Sequence, residues 1–165
     1  MIILGMDPGL AILGYGVIDY QKGNQYTVLD YGCVFTKAHT PMPERLMKLA
    51  DGVQALCQKF QPDAIAMEEL FFNKNVTTAI AVAQARGVIL QQAARYSSEL
   101  YEYTPLQVKQ AVVGYGRADK HQVQEMMRLQ LHLAEIPQPD DAADALAIAI
   151  CHANSSDMPQ NFRIE

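Results

Sequence analysis

The first 67 residues of this chain restrict its fold through the order of their apolar segments. Three β-branched segments, at residues 2–7, 14–20 and 26–36, follow one another with short Gly-, Pro- and Asn-containing links, which predicts an antiparallel meander. Apolar residues then recur at helical spacing up to Phe60, and a short apolar strand follows at residues 64–67. A strand, a helix and a strand in that order form a crossover, which favours parallel pairing of the last strand with an earlier one.

The remainder of the chain has a mainly helical pattern. Residues 77–96 form an Ala-rich helix around Gly87, and such small side chains indicate close packing within the fold or against a second subunit. A fifth strand is predicted at residues 100–103. The order as a whole predicts an α/β fold with a mixed five-stranded sheet flanked by helices. Three more helices are predicted: from Thr104-Pro105 to Gly114, after Asp119 with Gln122 as a capping box, and over residues 140–153.

Composition sets the domain organisation. Half of the 165 residues are hydrophobic and 19% are charged, which is enough for one core. We expect a single domain over residues 1–154 and a polar, flexible tail over residues 155–165. The apolar run at residues 1–6 is too short for a signal peptide or a membrane span, so we expect a soluble, cytoplasmic protein. The three widely spaced cysteines are expected to be free thiols.

The distribution of charge matters more than its sum. A formal net charge of −5 argues against nucleic-acid binding, because phosphate binders are usually basic. Residues 70–128, however, contain seven bases and four acids. An acidic total is therefore compatible with a DNA-binding face. Six acids are expected at or near one site: Asp7, Glu68, Glu69, Asp140, Asp141 and Asp144.

Two carboxylates come directly after predicted strands. Asp7 ends the first strand, and Glu68 ends the strand that follows the crossover. If these strands are parallel neighbours, about 5 Å apart, both acids emerge at the same edge of the sheet, where α/β folds hold their ligands. That separation suits two ligands bridged by one divalent metal.

Two further acids lie on the last predicted helix. Asp141 and Asp144 are three residues apart in a small, apolar sequence, so they share a face, whereas Asp140 is explained as a helix cap. Four converging carboxylates repel one another unless a cation compensates them. All-oxygen ligands suit Mg²⁺ or Mn²⁺ better than zinc, and two such ions are the usual means of hydrolysing a phosphodiester.

A set of short motifs stands in a fixed order over roughly residues 2–153. The set resembles the RuvC family of Holliday-junction endonucleases, and although each motif alone is weak, the ordered set is highly specific. The motifs are Met6-Asp7-Pro8-Gly9 with Gly14-Tyr15-Gly16, Met67-Glu68 through Phe71 with Lys74-Asn75, Gln84-Ala85-Arg86-Gly87, Gln107-Val108-Lys109-Gln110 with Val113-Gly114, and Asp141-Ala142-Ala143-Asp144-Ala145.

The resemblance implies a ribonuclease H-like fold, a homodimer, and paired symmetric incisions across a four-way DNA junction in recombination and repair. It implies that two Mg²⁺ ions per subunit, with Mn²⁺ as a substitute, support hydrolysis to 5′-phosphate and 3′-hydroxyl ends. Partnership with the RuvA–RuvB branch-migration complex is implied in the same way. The family's catalytic, metal-binding acids fall on Asp7, Glu68, Asp141 and Asp144.

The resemblance also implies contacts with DNA. The family's junction-facing aromatic falls on Phe71, and its basic contacts fall on Lys109 and Lys120. The family varies at Glu69 and Phe72, which receive no role. Other bases of the net-positive stretch are further candidates. The expected DNA-binding residues are Phe71, Lys74, Arg86, Lys109, Arg117 and Lys120.

Three other functions are compatible with part of the sequence. An actin-like ATPase or kinase also has a strand ending in Asp before a Gly turn, but it needs a second, duplicated domain. A non-catalytic junction-binding module predicts that an acid is missing, and none is. A ribonuclease H-like nuclease acting on RNA–DNA hybrids is compatible with the carboxylates alone, and only the wider motif set argues against it.

Overall fold

A computed structural model describes residues 1–23, 25–70, 76–155 and 159–164 of the chain. A short 3₁₀ helix, Pro159–Phe162, follows the main elements. Within the described residues the strands and α-helices are, in chain order, β1 (Ile2–Pro8), β2 (Ile12–Gln21), β3 (Gln25–Phe35), α1 (Met42–Phe60), β4 (Ala64–Glu68), α2 (Val76–Ala93), β5 (Leu100–Tyr103), α3 (Pro105–Val113), α4 (Lys120–Gln130) and α5 (Asp140–Asn154).

The predicted mixed five-stranded sheet is confirmed, with strand order β3-β2-β1-β4-β5. Strands β1, β2 and β3 form the antiparallel meander, and β4 pairs in parallel with both β1 and β5. In the β1–β4 register Met6 lies opposite Met67. The crossover therefore brings Asp7 and Glu68, the next residues of the two strands, to the same edge of the sheet.

Helix α5 lies against one face of the sheet at very short range, because glycines of β1 and β2 face it. A Cβ atom built on Gly5 would lie 2.1 Å from the Ala145 carbonyl oxygen, and one built on Gly14 would lie 2.0 Å from that of Asp141. Helices α3 and α4 pack against α5, while α1 and α2 pack together, with the apolar side chains of both covering the opposite face. The close approach of α5 places its acidic first turns beside the end of β1.

The predicted N-terminal caps of α3 and α4 are confirmed, since both form capping boxes. The Thr104 hydroxyl accepts from the Gln107 amide, and Asp119 does the same for Gln122. The cap expected at Asp140 is wrong, because Pro139 occupies that position and Asp140 is the first helical residue. Its carboxylate instead forms an ion pair with Lys120, in which the Nζ atom lies 3.1 Å from Oδ2 of Asp140.

The structure also bears on the small residues of α2 and on the C-terminal tail. A Cβ atom built on Gly87 would meet no described atom within 4 Å, so packing within the fold does not explain that glycine. Part of the tail over residues 155–165 lies along β5, where the Ile164 amide donates to the Leu100 carbonyl at 2.9 Å. The flexibility of the tail and the domain boundary at residue 154 stay predictions.

The cysteines are free thiols, as expected: Cys57 and Cys151 are buried, and Cys33 is half-buried. In the described part of the chain, no helix combines the length and the apolar character needed to cross a bilayer.

Candidate active site

Four acids from three elements converge at one edge of the sheet. Asp7 lies near the end of β1, Glu68 ends β4, and Asp141 and Asp144 belong to the first two turns of α5. All four are half-buried. The sequence-predicted set is thus brought together by the parallel register of β1 and β4 and by the glycine-mediated approach of α5.

Asp7 lies at the electrostatic centre of this group. Burial, followed by the charges of Glu68, Asp144 and Asp141, raises its pKa from 3.8 to about 7. A carboxyl with that pKa is half-protonated near neutral pH in the absence of a cation. The surroundings of Asp7 therefore carry an excess of negative charge that favours a bound positive ion.

Lys120, from the first turn of α4, supplies part of that positive charge. Its Nζ atom lies 3.1 Å from a carboxylate oxygen of Asp144 and 3.1 Å from one of Asp140. Burial raises the pKa of Asp144, while the hydrogen bond from Lys120 opposes that rise. Burial and the charge of Asp144 also raise the pKa of Glu68. The lysine thus stabilises the ionised form of the acids.

A cleft of about 240 Å³ opens beside the acids. Glu68 and Asp144 line it together with Lys109 and Lys120. The acids and the lysines therefore face the same opening. Sequence reasoning did not identify the cleft's apolar wall, because these residues look like ordinary core positions of three separate helices: Pro105, Val108, Val123, Ala147 and Ile148.

The acids fit a divalent cation by chemistry and by charge, since every donor is a carboxylate oxygen and the pKa of Asp7 is raised by its acidic neighbours. They are not arranged as an assembled metal site. Among the residues that the structure describes, no three side chains of His, Cys, Asp or Glu are grouped closely enough to hold a metal. Instead, the ammonium group of Lys120 bridges Asp140 and Asp144.

The predicted DNA-binding residues have different surroundings. Lys109 and Lys120 face the cleft, and Arg117 is exposed in the loop between α3 and α4. Arg86 is only 12% exposed and forms an ion pair with Glu102, which argues against direct contact with DNA. Phe71, Lys74 and Phe72 lie outside the described residues.

The site contains two features that the sequence did not predict. Asp140 is an ion-pair partner of Lys120, and Cys33 of β3 lies near the acids, where burial and then the charges of Asp141 and Asp7 raise its pKa to about 11. Pairing of Gly14 with Cys33 across β2 and β3 brings that thiol to α5. Only knowledge of the strand register reveals this neighbour.

Similarity to known proteins covers nearly the whole chain. A family model described as crossover junction endodeoxyribonuclease RuvC matches residues 3–152. A relative of that name from Desulfitobacterium hafniense (strain DSM 10664 / DCB-2) is 63% identical over 155 residues, which cover 94% of this chain and 93% of the relative. One from Alkaliphilus metalliredigens (strain QYMF) is 54% identical over 165 residues, covering 100% of both chains.

Solved structures agree with the fold. The structure of T. thermophilus RuvC in complex with Holliday junction substrate is 38% identical, covers 96% of each chain and superimposes with a TM-score of 0.90. The yeast mitochondrial Holliday junction resolvase Ydc2 is 13% identical, and the match covers 98% of this chain and 81% of that one with a TM-score of 0.69. At that identity the second match supports the fold alone.

Proposed function

The chain belongs to the RuvC family of crossover junction endodeoxyribonucleases, and from this premise we propose that it cuts four-way DNA junctions by metal-dependent hydrolysis at Asp7, Glu68, Asp141 and Asp144. The observation that carries the proposal is the meeting of these four acids at one edge of the sheet. The related structure from T. thermophilus holds a Holliday junction substrate, which supports the same substrate class here.

The four acids would hold the metal in this proposal. The charges of Glu68, Asp144 and Asp141 all raise the pKa of Asp7, so Asp7 would be the shared ligand of a bound cation and the other three would complete its surroundings. Divalent cations held by these acids, Mg²⁺ or Mn²⁺ as a substitute, would activate a water and stabilise the leaving 3′ oxygen. The products are a 5′-phosphate and a 3′-hydroxyl.

The two lysines of the cleft bind DNA phosphates and compensate part of the negative charge of the acids. Lys109 and Lys120 face the same opening as Glu68 and Asp144, so a phosphate near the acids has two ammonium groups within reach. Electrostatic contact of this kind positions the strand without reading its sequence. Lys120 also favours the ionised forms of Asp7 and Asp144, because its charge lowers the pKa of both.

Paired cutting of a two-fold junction needs two equivalent sites, so we propose a homodimer. Helix α2 supplies a suitable face, on which Ile80, Gln84, Gly87 and Gln91 are exposed at helical spacing. Ile80→Asp is expected to produce monomers in sedimentation velocity, whereas Met47→Asp, an equally exposed apolar position on α1, is expected to leave the dimer intact. Association with RuvA–RuvB rests on the resemblance alone and stays a prediction.

The test is a cleavage assay with Mg²⁺ on a labelled four-way junction, beside linear duplex, single strand and an RNA–DNA hybrid. We expect paired, ligatable nicks on the junction alone. Asp7→Asn is expected to abolish cutting while retaining junction binding, and the exposed acid of α1, Asp51→Asn, is the matched control and should cut normally. A fully active Asp7→Asn variant contradicts the assignment of the acids, and cutting of the hybrid alone contradicts the substrate.

A further inference from the structure

Two exposed aromatic side chains lie on one face of β3. Tyr31 is 38% exposed and Phe35 is 52% exposed. They are two residues on either side of Cys33, and alternate residues of a strand point to the same face, so all three side chains share a face. Large aromatic rings left exposed in this way indicate a contact with another molecule.

This face lies beside the acids of the candidate active site. Cys33 pairs with Gly14 across β2 and β3, and a Cβ atom built on Gly14 would lie 2.0 Å from the Asp141 carbonyl oxygen. The first turn of α5 therefore lies directly over the Gly14–Cys33 pair. The raised pKa of Cys33, caused by burial and then by Asp141 and Asp7, agrees with this proximity.

Phe35 is held at the edge of the sheet from which Asp7 emerges. It pairs with Ile12, and the next residue, Thr36, is fixed to the loop after β1: its amide donates to the Ala11 carbonyl at 2.9 Å and its hydroxyl donates to the Leu10 carbonyl at 2.6 Å. The ring is two strand residues from Cys33, or about 7 Å. Cys33 lies two strand spacings, or about 10 Å, from Asp7, so Phe35 is about 12 Å from that acid. Because phosphates of one DNA strand follow every ~3.4 Å along the axis, this distance corresponds to about three to four nucleotides.

The surface around Phe35 is suited to a polyanion. Residues 31–43 contain no acid, and the exposed Lys37 follows Phe35 by two positions. Asp30, the nearest acid along the strand, is paired with Lys59 at 2.8 Å. An aromatic ring in a non-acidic surface, continuous with a phosphodiester-cleaving site, fits a nucleotide base better than an acidic partner.

We propose that Phe35, which shares a face of β3 with Tyr31, stacks on an unpaired base at the branch point of the bound junction. Bases at a branch point lack a stacking neighbour on one side, and a protein aromatic replaces it. The inference rests on the proposed cleavage of junctions at the four acids, and it adds a base contact on the β3 side of them.

The experiment measures the affinity of Phe35→Ala for a four-way junction and for a linear duplex in EDTA, so that no strand is cut. We expect junction affinity to fall about fivefold to a hundredfold and duplex affinity to stay unchanged. Phe35→Trp is expected to restore binding and Phe35→Leu is not, because stacking needs the ring. Leu129→Ala, at a position that is also 52% exposed, is the control and should bind as wild type.

Two further measurements separate stacking from other causes. The slope of log affinity against log salt is expected to be unchanged in Phe35→Ala, since no phosphate contact is lost, but lower in Lys109→Ala. A 2-aminopurine base placed at the branch point, within about four nucleotides of the cut, is expected to be quenched by wild type and not by Phe35→Ala. Thermal melting of the alanine and leucine variants shows that each is folded.

Wild-type binding by a folded Phe35→Ala, while wild type cuts the junction, overturns this inference and leaves the proposed function standing. Equal loss of junction and duplex affinity also overturns it, as does a change of oligomeric state in Phe35→Ala, which would make this face an interface between copies. Failure of wild type to cut the junction at all would instead overturn the proposed function.

Discussion

The Nζ atom of Lys120 lies 3.1 Å from a carboxylate oxygen of Asp144, and this contact joins α4 to the acids of α5. The same ammonium group lies 3.1 Å from Asp140. One lysine from a neighbouring helix therefore bridges two acids one turn apart. It lowers the pKa of Asp144 and, from further away, that of Asp7, and so it adjusts the charge of the whole site.

Removal of the Lys120 charge is expected to move the pH dependence of cutting. In Lys120→Ala the acids lose a cation, so their pKa values rise and the acidic limb of the kcat/KM profile moves to higher pH by about one unit. Lys120→Arg is expected to keep the wild-type limb. The control is Lys59→Ala, which removes the 2.8 Å ion pair with Asp30 on β3. Superimposable profiles for Lys120→Ala and Lys59→Ala would contradict the role of Lys120.

Metal binding is expected to release protons. Because the pKa of Asp7 is about 7 in the cation-free protein, a metal that uses this carboxylate displaces a proton below that pH. The apparent Mn²⁺ affinity should rise up to about tenfold per pH unit below 7 and level off above it. Calorimetry in buffers of different ionisation enthalpy, or Mn²⁺ paramagnetic resonance, measures this directly. A pH-independent affinity between pH 5.5 and 7 would exclude Asp7 as a ligand.

The same raised pKa predicts how stability varies with pH in EDTA. The folded Asp7 carboxyl binds its proton more tightly than the unfolded one does, so its contribution to the free energy of unfolding falls as pH rises from about 4 to about 7. Asp7→Asn lacks this loss. The free energy of unfolding of the variant should equal that of wild type near pH 4 and should exceed it by about 2–4 kcal/mol at pH 8. Urea unfolding measures the difference, Asp51→Asn is the control, and a difference that does not change with pH contradicts the prediction.

Much of the site follows from local sequence rules. Asp7 and Glu68 stand at strand ends, and the strand–helix–strand order is enough to place them side by side. Asp141 and Asp144 share a helix face by spacing alone. The starts of α3 and α4 can be predicted from their N-cap residues, Thr104 and Asp119, which both form capping boxes. These features depend on short residue patterns and on the order of the elements along the chain.

The rest depends on contacts between elements that no local pattern records. The pairing of Lys120 with Asp140 arises from the packing of α4 on α5. The cap expected at Asp140 is wrong because Pro139 occupies the N-cap position. Arg86 carries the same charge as Lys109, yet it pairs with Glu102 instead of facing the cleft. The position of Cys33 beside the acids follows from the register of β2 and β3.

Burial of His152 predicts a loss of stability in acid. The Tyr103 hydroxyl lies 2.8 Å from its Nδ1 atom, and burial lowers its pKa from 6.5 to about 4. The unfolded chain therefore binds a proton that the folded chain does not between these values, so wild type loses up to about 3 kcal/mol as pH falls from 6.5 to 4. His152→Gln should lower the free energy of unfolding at pH 7.5, and it should lower it by a smaller amount at pH 4.5. An equal penalty at both pH values, measured by urea unfolding, contradicts the low pKa; the exposed His121→Gln is the control.

Two glycine substitutions are expected to have opposite effects on stability, and the first follows from the close approach of α5 to the sheet. A Cβ atom at Gly5 would lie 2.1 Å from the Ala145 carbonyl oxygen and 2.8 Å from the Ala149 amide nitrogen. Gly5→Ala must push α5 away and is expected to cost about 3 kcal/mol or more. It should also weaken cutting, because Asp141 and Asp144 move with the helix.

Gly87 lies inside α2, where a Cβ atom would meet no described atom within 4 Å. Gly87→Ala removes backbone freedom from the unfolded chain and is expected to add about 0.5–1 kcal/mol to the stability of the subunit. Chemical unfolding of both variants, with sedimentation velocity to separate subunit stability from dimerisation, gives the comparison. If Gly5→Ala were as stable as wild type, α5 could not lie against β1 at the distance that brings its two acids to Asp7.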